Sequence, residues 1–120
     1  MSDVMIPARP TTYRGIKMRS RLEAKVAAHL DGRGFEWQYE GPAFGGRGGQ
    51  YLPDFTLPAR DGRLTVYIEV KPTVDRAYRA MERMQVIWES EPNVALMMLV
   101  GVSDLAWVAY PDTRTWRKLW

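Results

Sequence analysis

A glutamate and a lysine stand two residues apart in an apolar segment near the middle of the chain, Ile68-Glu69-Val70-Lys71. Because side chains alternate along a strand, Glu69 and Lys71 are expected on one face, with their apolar neighbours on the other. Asp54 lies on a preceding apolar segment, and a hairpin between the two segments would bring it beside Glu69. Converging carboxylates supply the oxygen ligands that Mg²⁺ or Mn²⁺ prefers.

The alternative is an ordinary surface role for these residues. An isolated Glu-x-Lys in a strand is more often an exposed ion pair, and an isolated aspartate is more often a turn residue. The joint order is more informative: Pro53-Asp54 on one strand, a turn, and then Glu69-x-Lys71 on the next. This order favours a functional site over surface charge.

Hydrophobic periodicity predicts the elements that position these residues. Leu22, Val26 and Leu30 recur every four residues and form the apolar stripe of a helix. The order of helix, three strands, helix and two strands predicts an α/β fold with a central mixed sheet flanked by helices. The predicted helices cover 20–31 and 74–90, and the predicted strands cover 35–39, 51–57, 64–71, 94–102 and 106–110.

Three further segments complete this prediction. The glycine-rich segment 45–49 is expected to form a flexible connecting loop, and 58–62 is expected to form a turn. On the helix 74–90, one face is expected to pack into the core. That face comprises Val74, Ala77, Tyr78, Met81, Met84 and Trp88.

The motifs resemble those of a known nuclease superfamily. Pro53-Asp54 followed by Glu69-x-Lys71 is similar to the signature of PD-(D/E)XK, or restriction-endonuclease-like, nucleases. Upstream, Arg19-Ser20-Arg21-Leu22-Glu23 resembles the first helix of small phage and transposon members, and Trp37-Gln38-Tyr39-Glu40 resembles the following strand. Over roughly residues 20–90, the chain is most similar to endonuclease I-type Holliday-junction-resolving enzymes of phages.

This resemblance implies a restriction-endonuclease-like fold and metal-dependent hydrolysis of DNA. It implies that Asp54, Glu69, the Val70 backbone carbonyl and Glu23 hold Mg²⁺ or Mn²⁺. It also implies that Lys71 orients the attacking water or offsets charge on the phosphate. No small-molecule organic cofactor is expected, because no motif for one is present. The expected location is the cytoplasm of a bacterial or phage-infected cell.

Glu23 has a second interpretation. Ser20-x-x-Glu23 is also a capping box, in which the glutamate bonds back to the Ser20 amide. Spacing alone favours the capping box, whereas the family pattern favours a role in the metal site. Glu40 is expected to be a surface charge at a strand end, and His29 an ordinary helix residue.

The charge permits a polyanionic partner without requiring one, and either basic cluster alone is more typical of ordinary surface charge. The 120-residue chain has a net charge of +3 and a pI of about 9.4. Basic residues crowd the N-terminal region, and more of them accompany Trp116 and Trp120 near the C-terminus, a combination typical of nucleic-acid binding. The predicted DNA contacts are Arg14, Lys17, Arg19, Arg21, Lys25 and Arg47.

Composition excludes several other classes. The chain has no cysteine, which excludes disulfides and thiol catalysis. The longest apolar stretch, 94–102, is too short to cross a membrane. One domain over 13–120, preceded by an extended arm over 1–12, is the predicted organisation.

The type of nuclease stays open between several possibilities. Exonucleases of the superfamily carry Gln-x-x-x-Tyr on the following helix, but here Gln85 is followed by Glu89. A junction resolvase needs two active sites and therefore a homodimer. A nicking or structure-specific endonuclease fits equally well. The alternatives outside catalysis are a DNA-binding module with the nuclease fold and an interaction subunit of a DNA-processing complex.

Overall fold

The computed structural model describes residues 10–46, 49–101 and 105–119. These residues form short helices and strands, most of which belong to one sheet. The elements are β1 (Thr11–Tyr13), β2 (Ile16–Met18), α1 (Arg21–Gly32), β3 (Gln38–Tyr39), β4 (Phe44–Gly46), β5 (Gly49–Tyr51), β6 (Phe55–Leu57), β7 (Val66–Lys71), α2 (Val74–Met84), α3 (Ile87–Ser90), β8 (Ala95–Val100), β9 (Leu105–Ala109) and β10 (Trp116–Lys118).

The main sheet has six strands in the order β10-β9-β8-β7-β6-β3. Strands β7 and β8 are parallel, and every other neighbouring pair is antiparallel. The parallel pair is joined through α2 and α3, the helical crossover that such a pair requires. The predicted α/β class with a mixed central sheet and flanking helices is therefore confirmed.

The element order is richer than the predicted one. Two hairpins, β1–β2 and β4–β5, lie outside the main sheet, and β10 adds a strand at its edge. Arg14 and Gly15 connect β1 to β2 with φ angles of 50° and 80°. Positive φ at both central residues is what a two-residue type I′ turn requires. This hairpin was not predicted, because strands of three residues are too short to show alternation.

The two faces of β7 pack against different helices. Ile68 and Val70 pack against α1, together with Phe55 of the neighbouring strand. Tyr67 lies on the opposite face, among buried side chains of α2 and α3. Glu69 follows Tyr67 by two residues and therefore shares its face. This confirms the predicted alternation, in which the acid and the lysine project away from the apolar residues.

Helix α1 begins and ends close to the predicted positions. Its N-cap is Ser20, whose Oγ accepts a hydrogen bond from the Glu23 amide at 3.1 Å. Val26 and Leu30 are buried on the stripe that the periodicity predicts. Asp31, near the other end of α1, accepts hydrogen bonds from three side chains. These donors are Tyr13 Oη (2.6 Å), Trp37 Nε1 (2.8 Å) and Arg14 Nη1 (2.9 Å).

The predicted strand over 51–57 is divided by Pro53 and Asp54. Tyr51 belongs to β5 and pairs with Phe44, whereas β6 begins at Phe55. Proline has no N–H to donate to a ladder, so pairing stops there and resumes in another sheet. The interruption leaves Asp54 immediately before the main sheet.

The segment 45–49, predicted to be a loop, is largely a hairpin. Gly45 pairs with Gln50, and Gly46 pairs with Gly49. Arg47, a predicted DNA contact, lies outside the described residues, as does most of the predicted arm over 1–12. Thr11 and Thr12, at the end of that arm, pair in the β1–β2 hairpin.

The single helix predicted over 74–90 is two helices separated by a turn at Gln85 and Val86. Tyr78 is 55% exposed, so its predicted place on the core face is wrong. Its ring instead lies at the surface, against Trp107 with 5.8 Å between the ring centroids. The predicted core positions that are buried are Ala77, Met81, Met84 and Trp88. In the parts of the chain described, no helix has the length and apolarity to cross a membrane.

Candidate active site

Asp54 and Glu69 lie opposite each other at the junction of two antiparallel strands. Phe55 of β6 pairs with Ile68 of β7, so the next residues in the register are Asp54 and Glu69. Phe55 and Ile68 are completely buried in the layer beneath α1. Asp54 and Glu69 therefore project from the other face, where they are 4% and 5% exposed. The hairpin brings the two carboxylates together as the sequence predicts.

Both oxygens of Glu69 have partners. Lys71 Nζ lies 3.0 Å from Oε2, and the Tyr51 hydroxyl donates a hydrogen bond to Oε1 at 2.6 Å. Burial, followed by the negative charge of Glu69, raises the pKa of Tyr51 well above its ordinary value, so this hydroxyl keeps its proton. The Lys71 side chain is 24% exposed. It therefore connects the buried glutamate with solvent.

Asp54 is held by the backbone of the neighbouring strand. The Val70 amide donates a hydrogen bond to Oδ2 at 2.8 Å, and Arg19 Nη2 lies 3.5 Å from Oδ1. Burial raises the pKa of Asp54 to about 8, and the charges of Glu69 and Glu23 add to this rise, whereas the Val70 amide opposes it. Carboxylates are crowded here, and this crowding favours the protonated form of Asp54, whereas the nearby Arg19 favours the ionised form.

Glu23 forms one of the two hydrogen bonds of a capping box. Its amide donates to Ser20 Oγ, the N-cap of α1. Its carboxylate, however, accepts a hydrogen bond from the Tyr39 hydroxyl at 3.0 Å and lies close enough to Asp54 to raise that residue's pKa. Among the described hydrogen bonds, none runs from this carboxylate back to the Ser20 amide. The side chain thus faces Tyr39 and Asp54 rather than its own helix end.

Glu40 is a site residue that the sequence interpretation placed at the surface. Its carboxylate forms an ion pair with Arg19, which also reaches Asp54. Its amide donates to the Asp54 carbonyl at 2.9 Å. The backbone of Glu40 has a φ of 48°, an uncommon conformation for a residue with a side chain. The sequence signal for this position is the motif Trp37-Gln38-Tyr39-Glu40, which resembles a strand of the nuclease superfamily.

Tyr51 was also missed as a site residue. It lies 18 residues before Glu69 in the chain and reaches it only because the β4–β5 hairpin folds over the sheet. Phe44, its partner in the hairpin, packs edge-on against Tyr67 with 5.1 Å between ring centroids. Such a contact depends on tertiary packing, for which local spacing gives no signal.

The predicted DNA contacts that the structure describes lie at several places. Arg19 lies at the acid cluster, whereas Arg14 pairs with Asp31 at 2.9 Å on the β1–β2 hairpin. Arg21 and Lys25, one turn apart on α1, line an open groove with Thr11, Ala24 and Ala28. Lys17 is exposed on β2. At the other end of the chain, the Arg114 guanidinium lies over the Trp88 ring, 5.1 Å from its centroid, and Trp116 is partly buried against the core.

Two residues of this site, Asp54 and Glu69, fit a divalent cation by the chemistry of their carboxylate donors. Asp54, Glu69 and Glu23 are buried carboxylates, and their mutual repulsion is what a bound cation relieves. The Val70 amide donates a hydrogen bond to Asp54. That the Val70 carbonyl binds the metal stays a prediction. Within the described residues, no group of three or more histidine, aspartate or glutamate side chains has an arrangement able to hold a metal ion.

Substitution of Tyr51 by phenylalanine tests the hydrogen bond to Glu69. We expect Tyr51→Phe to lower the free energy of unfolding by about 1–3 kcal/mol, because a buried carboxylate oxygen loses its donor. Urea denaturation measures this difference. Tyr110→Phe removes a hydroxyl from an exposed tyrosine and is the matched control. Equal unfolding free energies for the two variants would show that the hydrogen bond contributes nothing.

Comparison with known proteins returns no relative from which a function can be transferred. No protein-family model matches this chain, and no curated protein or solved structure matches it significantly.

Proposed function

We propose that this protein is a metal-dependent nuclease that hydrolyses phosphodiester bonds in DNA. The observation that carries the proposal is the pair of buried carboxylates, Asp54 and Glu69, on adjacent strands, with Lys71 Nζ 3.0 Å from Glu69. Burying two acids side by side is unfavourable without a compensating cation. A fold that keeps such a pair next to a solvent-accessible lysine is well suited to bind a divalent ion and a phosphate.

The individual residues have distinct roles in this proposal. Asp54 and Glu69 hold Mg²⁺ or Mn²⁺, and the Val70 carbonyl and Glu23 complete the site. When bound, the ion polarises a phosphoryl oxygen and activates water for attack on phosphorus. The Lys71 side chain lies beside the buried Glu69 and is partly exposed to solvent. Its positive charge offsets the negative charge that develops on the phosphate.

Tyr51 and the Val70 amide hold the carboxylates of Glu69 and Asp54 in place. The Tyr51 hydroxyl fixes one oxygen of Glu69, and the Val70 amide fixes one oxygen of Asp54. Each carboxylate therefore has one oxygen held by a neutral donor, which limits its rotation and orients the other oxygen. Such support from a second layer of residues is typical of metal sites.

For the substrate, we propose branched or junction DNA, or a duplex in which the enzyme cuts one strand. The resemblance to resolving enzymes supports this choice, and so do the basic side chains on β2, α1 and the preceding turn. Symmetric cleavage of a junction would additionally require a homodimer, because one chain carries one such site. A nicking activity requires only the monomer.

A second candidate is a non-catalytic DNA-binding or interaction subunit that keeps the nuclease fold. The observation that favours it is the closed set of contacts around Glu69, in which Tyr51 and Lys71 already occupy both oxygens. In this case the acid and lysine would form a structural ion pair. The protein would then bind DNA without cutting it.

A cleavage panel separates these functions. Single-stranded, duplex, nicked and four-way-junction DNA, together with a matched RNA, are incubated with the protein and Mg²⁺, with Asp54→Ala as the control. The nuclease proposal predicts cleavage of at least one DNA substrate by the wild type and none by Asp54→Ala. Binding without cleavage across the panel would favour the non-catalytic subunit, and preferential cleavage of RNA would reassign the substrate.

A further inference from the structure

Arg19 closes the solvent side of the acid cluster. Its guanidinium pairs with Glu40 and lies 3.5 Å from Asp54 Oδ1, although its own side chain is 63% exposed. Asp54, by contrast, is 4% exposed. A surface arginine therefore reaches inward to a buried carboxylate. Its backbone is fixed separately, because its amide donates to the Tyr39 hydroxyl at 3.0 Å.

Ion pairing explains why Arg19 lies there. Lys71 pairs with Glu69, and Glu23 accepts a hydrogen bond from the Tyr39 hydroxyl. Arg19 pairs with the two other carboxylates of the cluster, Glu40 and Asp54. It makes these ion pairs from a side chain that is 63% exposed, and ion pairs of an exposed side chain are weak. A divalent ion carries twice the charge and binds the same carboxylate oxygens.

We propose that Arg19 has two alternative positions: it is the counter-ion of Asp54 and Glu40 in the metal-free site, and it binds a DNA phosphate once a divalent cation replaces it. This inference rests on the proposed nuclease function. A guanidinium binds phosphate through two parallel hydrogen bonds, for which its planar geometry is suited. Because only the side chain moves, the exchange requires no change in the fold.

The exchange couples the two binding events. A metal ion releases Arg19 for DNA, and DNA holds Arg19 away from the metal ligands, so each ligand strengthens the binding of the other. Removing Arg19 should then have opposite effects on them. Metal binding should become tighter, and DNA binding in the presence of metal should become weaker.

The first measurement is Mn²⁺ affinity without DNA, by isothermal titration calorimetry. We expect Arg19→Gln to bind Mn²⁺ roughly two- to fivefold more tightly than the wild type, the range that a weak exposed ion pair corresponds to. Arg33→Gln is the matched control, because it removes the same charge at the far end of α1, about 18 Å away along the helix axis. Arg33→Gln should bind Mn²⁺ as the wild type does.

The second measurement is DNA affinity by fluorescence anisotropy, in the Lys71→Ala background so that the DNA stays intact. With Mn²⁺, Arg19→Gln should weaken binding roughly tenfold or more, because a charge-assisted phosphate contact is lost. In EDTA it should change binding little, since Arg19 is then engaged by the carboxylates. Arg19→Lys keeps the charge but lacks the planar fork, so it should retain wild-type Mn²⁺ affinity and still lose DNA affinity.

Two results would overturn the exchange. One is unchanged or weaker Mn²⁺ binding in Arg19→Gln, and the other is an equal loss of DNA affinity with Mn²⁺ and with EDTA. If the wild type binds and cleaves DNA with Mn²⁺ while Arg19→Gln behaves like Arg33→Gln, only the role of Arg19 fails. If the wild type binds no Mn²⁺, the nuclease proposal fails together with it. If Arg19→Gln does not fold, Arg19→Lys decides through DNA affinity: a loss with Mn²⁺ but not in EDTA supports the exchange, and an equal loss in both overturns it.

Discussion

Replacing Asp54, Glu69 or Lys71 by alanine is expected to lower Mg²⁺-dependent DNA cleavage by about 10²-fold to 10³-fold or more. Each substitution removes a charged group from the same place on the sheet: two carboxylates on adjacent strands and the lysine beside one of them. Single-turnover cleavage of an end-labelled substrate measures the effect. Circular dichroism then shows whether the variants keep the fold.

Matched controls separate a site effect from a change in net charge. Asp75→Ala, Glu82→Ala and Lys118→Ala remove the same three side-chain types from exposed positions. We expect these variants to cleave within about twofold of the wild type, because isolated surface charges contribute little. Wild-type activity in any of the three site variants would rule out the assignment of that residue.

In the absence of metal, Asp54→Asn is expected to make the protein more stable at about pH 8. Asparagine keeps an oxygen that accepts the Val70 hydrogen bond, and it removes a charge that repels Glu69 and Glu23. The gain should exceed about 1.4 kcal/mol, which corresponds to one pKa unit. Tm should rise by roughly 4 °C or more. Differential scanning calorimetry in EDTA measures both quantities.

The sign of the pH dependence follows from proton binding. Asp54 has a pKa of about 8 in the folded protein and near its ordinary 3.8 in the unfolded chain. The folded state therefore binds more protons between these values, and its stability falls as pH rises from about 4 to about 8. The advantage of Asp54→Asn should widen over that interval and level off above it. An advantage that is constant with pH would mean that Asp54 carries no raised pKa.

Bound Mg²⁺ should reverse the difference in stability between the wild type and Asp54→Asn. A ligand that binds only the folded state stabilises it in proportion to its occupancy. Mg²⁺ should consequently raise the Tm of the wild type and have little effect on Asp54→Asn, which lacks one of the two central carboxylates. Equal Mg²⁺ effects on the two proteins would place the ion elsewhere.

The sequence predicts those parts of the site that depend on local regularity. The alternation through Ile68, Glu69, Val70 and Lys71 correctly assigns each side chain to a face, because a strand has a fixed period of two. The turn at 58–62 contains Asp61-Gly62, whose positive φ angles suit a tight hairpin, so the pairing of Asp54 with Glu69 also followed.

Contacts between distant segments are what the sequence leaves undetermined. Tyr51 reaches Glu69 only through the β4–β5 hairpin. The glycine-rich composition of this hairpin led to the prediction of a loop. Glu40 reaches the site through Arg19, whose position depends on the packing of α1 against β3 and β6. The break in the helix over 74–90 was missed as well, since Gln85 and Val86 carry no strong turn signal.

A Mg²⁺ titration of the wild-type protein on four-way-junction DNA tests the metal-dependent nuclease proposal directly. Cleavage rate and DNA binding are followed in the same solutions, from EDTA to saturating Mg²⁺. We expect DNA to be bound throughout, and cleavage to be absent in EDTA and to rise to a plateau as the metal site fills. Cleavage at an unchanged rate in EDTA, or bound DNA that stays intact at every Mg²⁺ concentration, would contradict the role assigned to Asp54, Glu69 and Lys71.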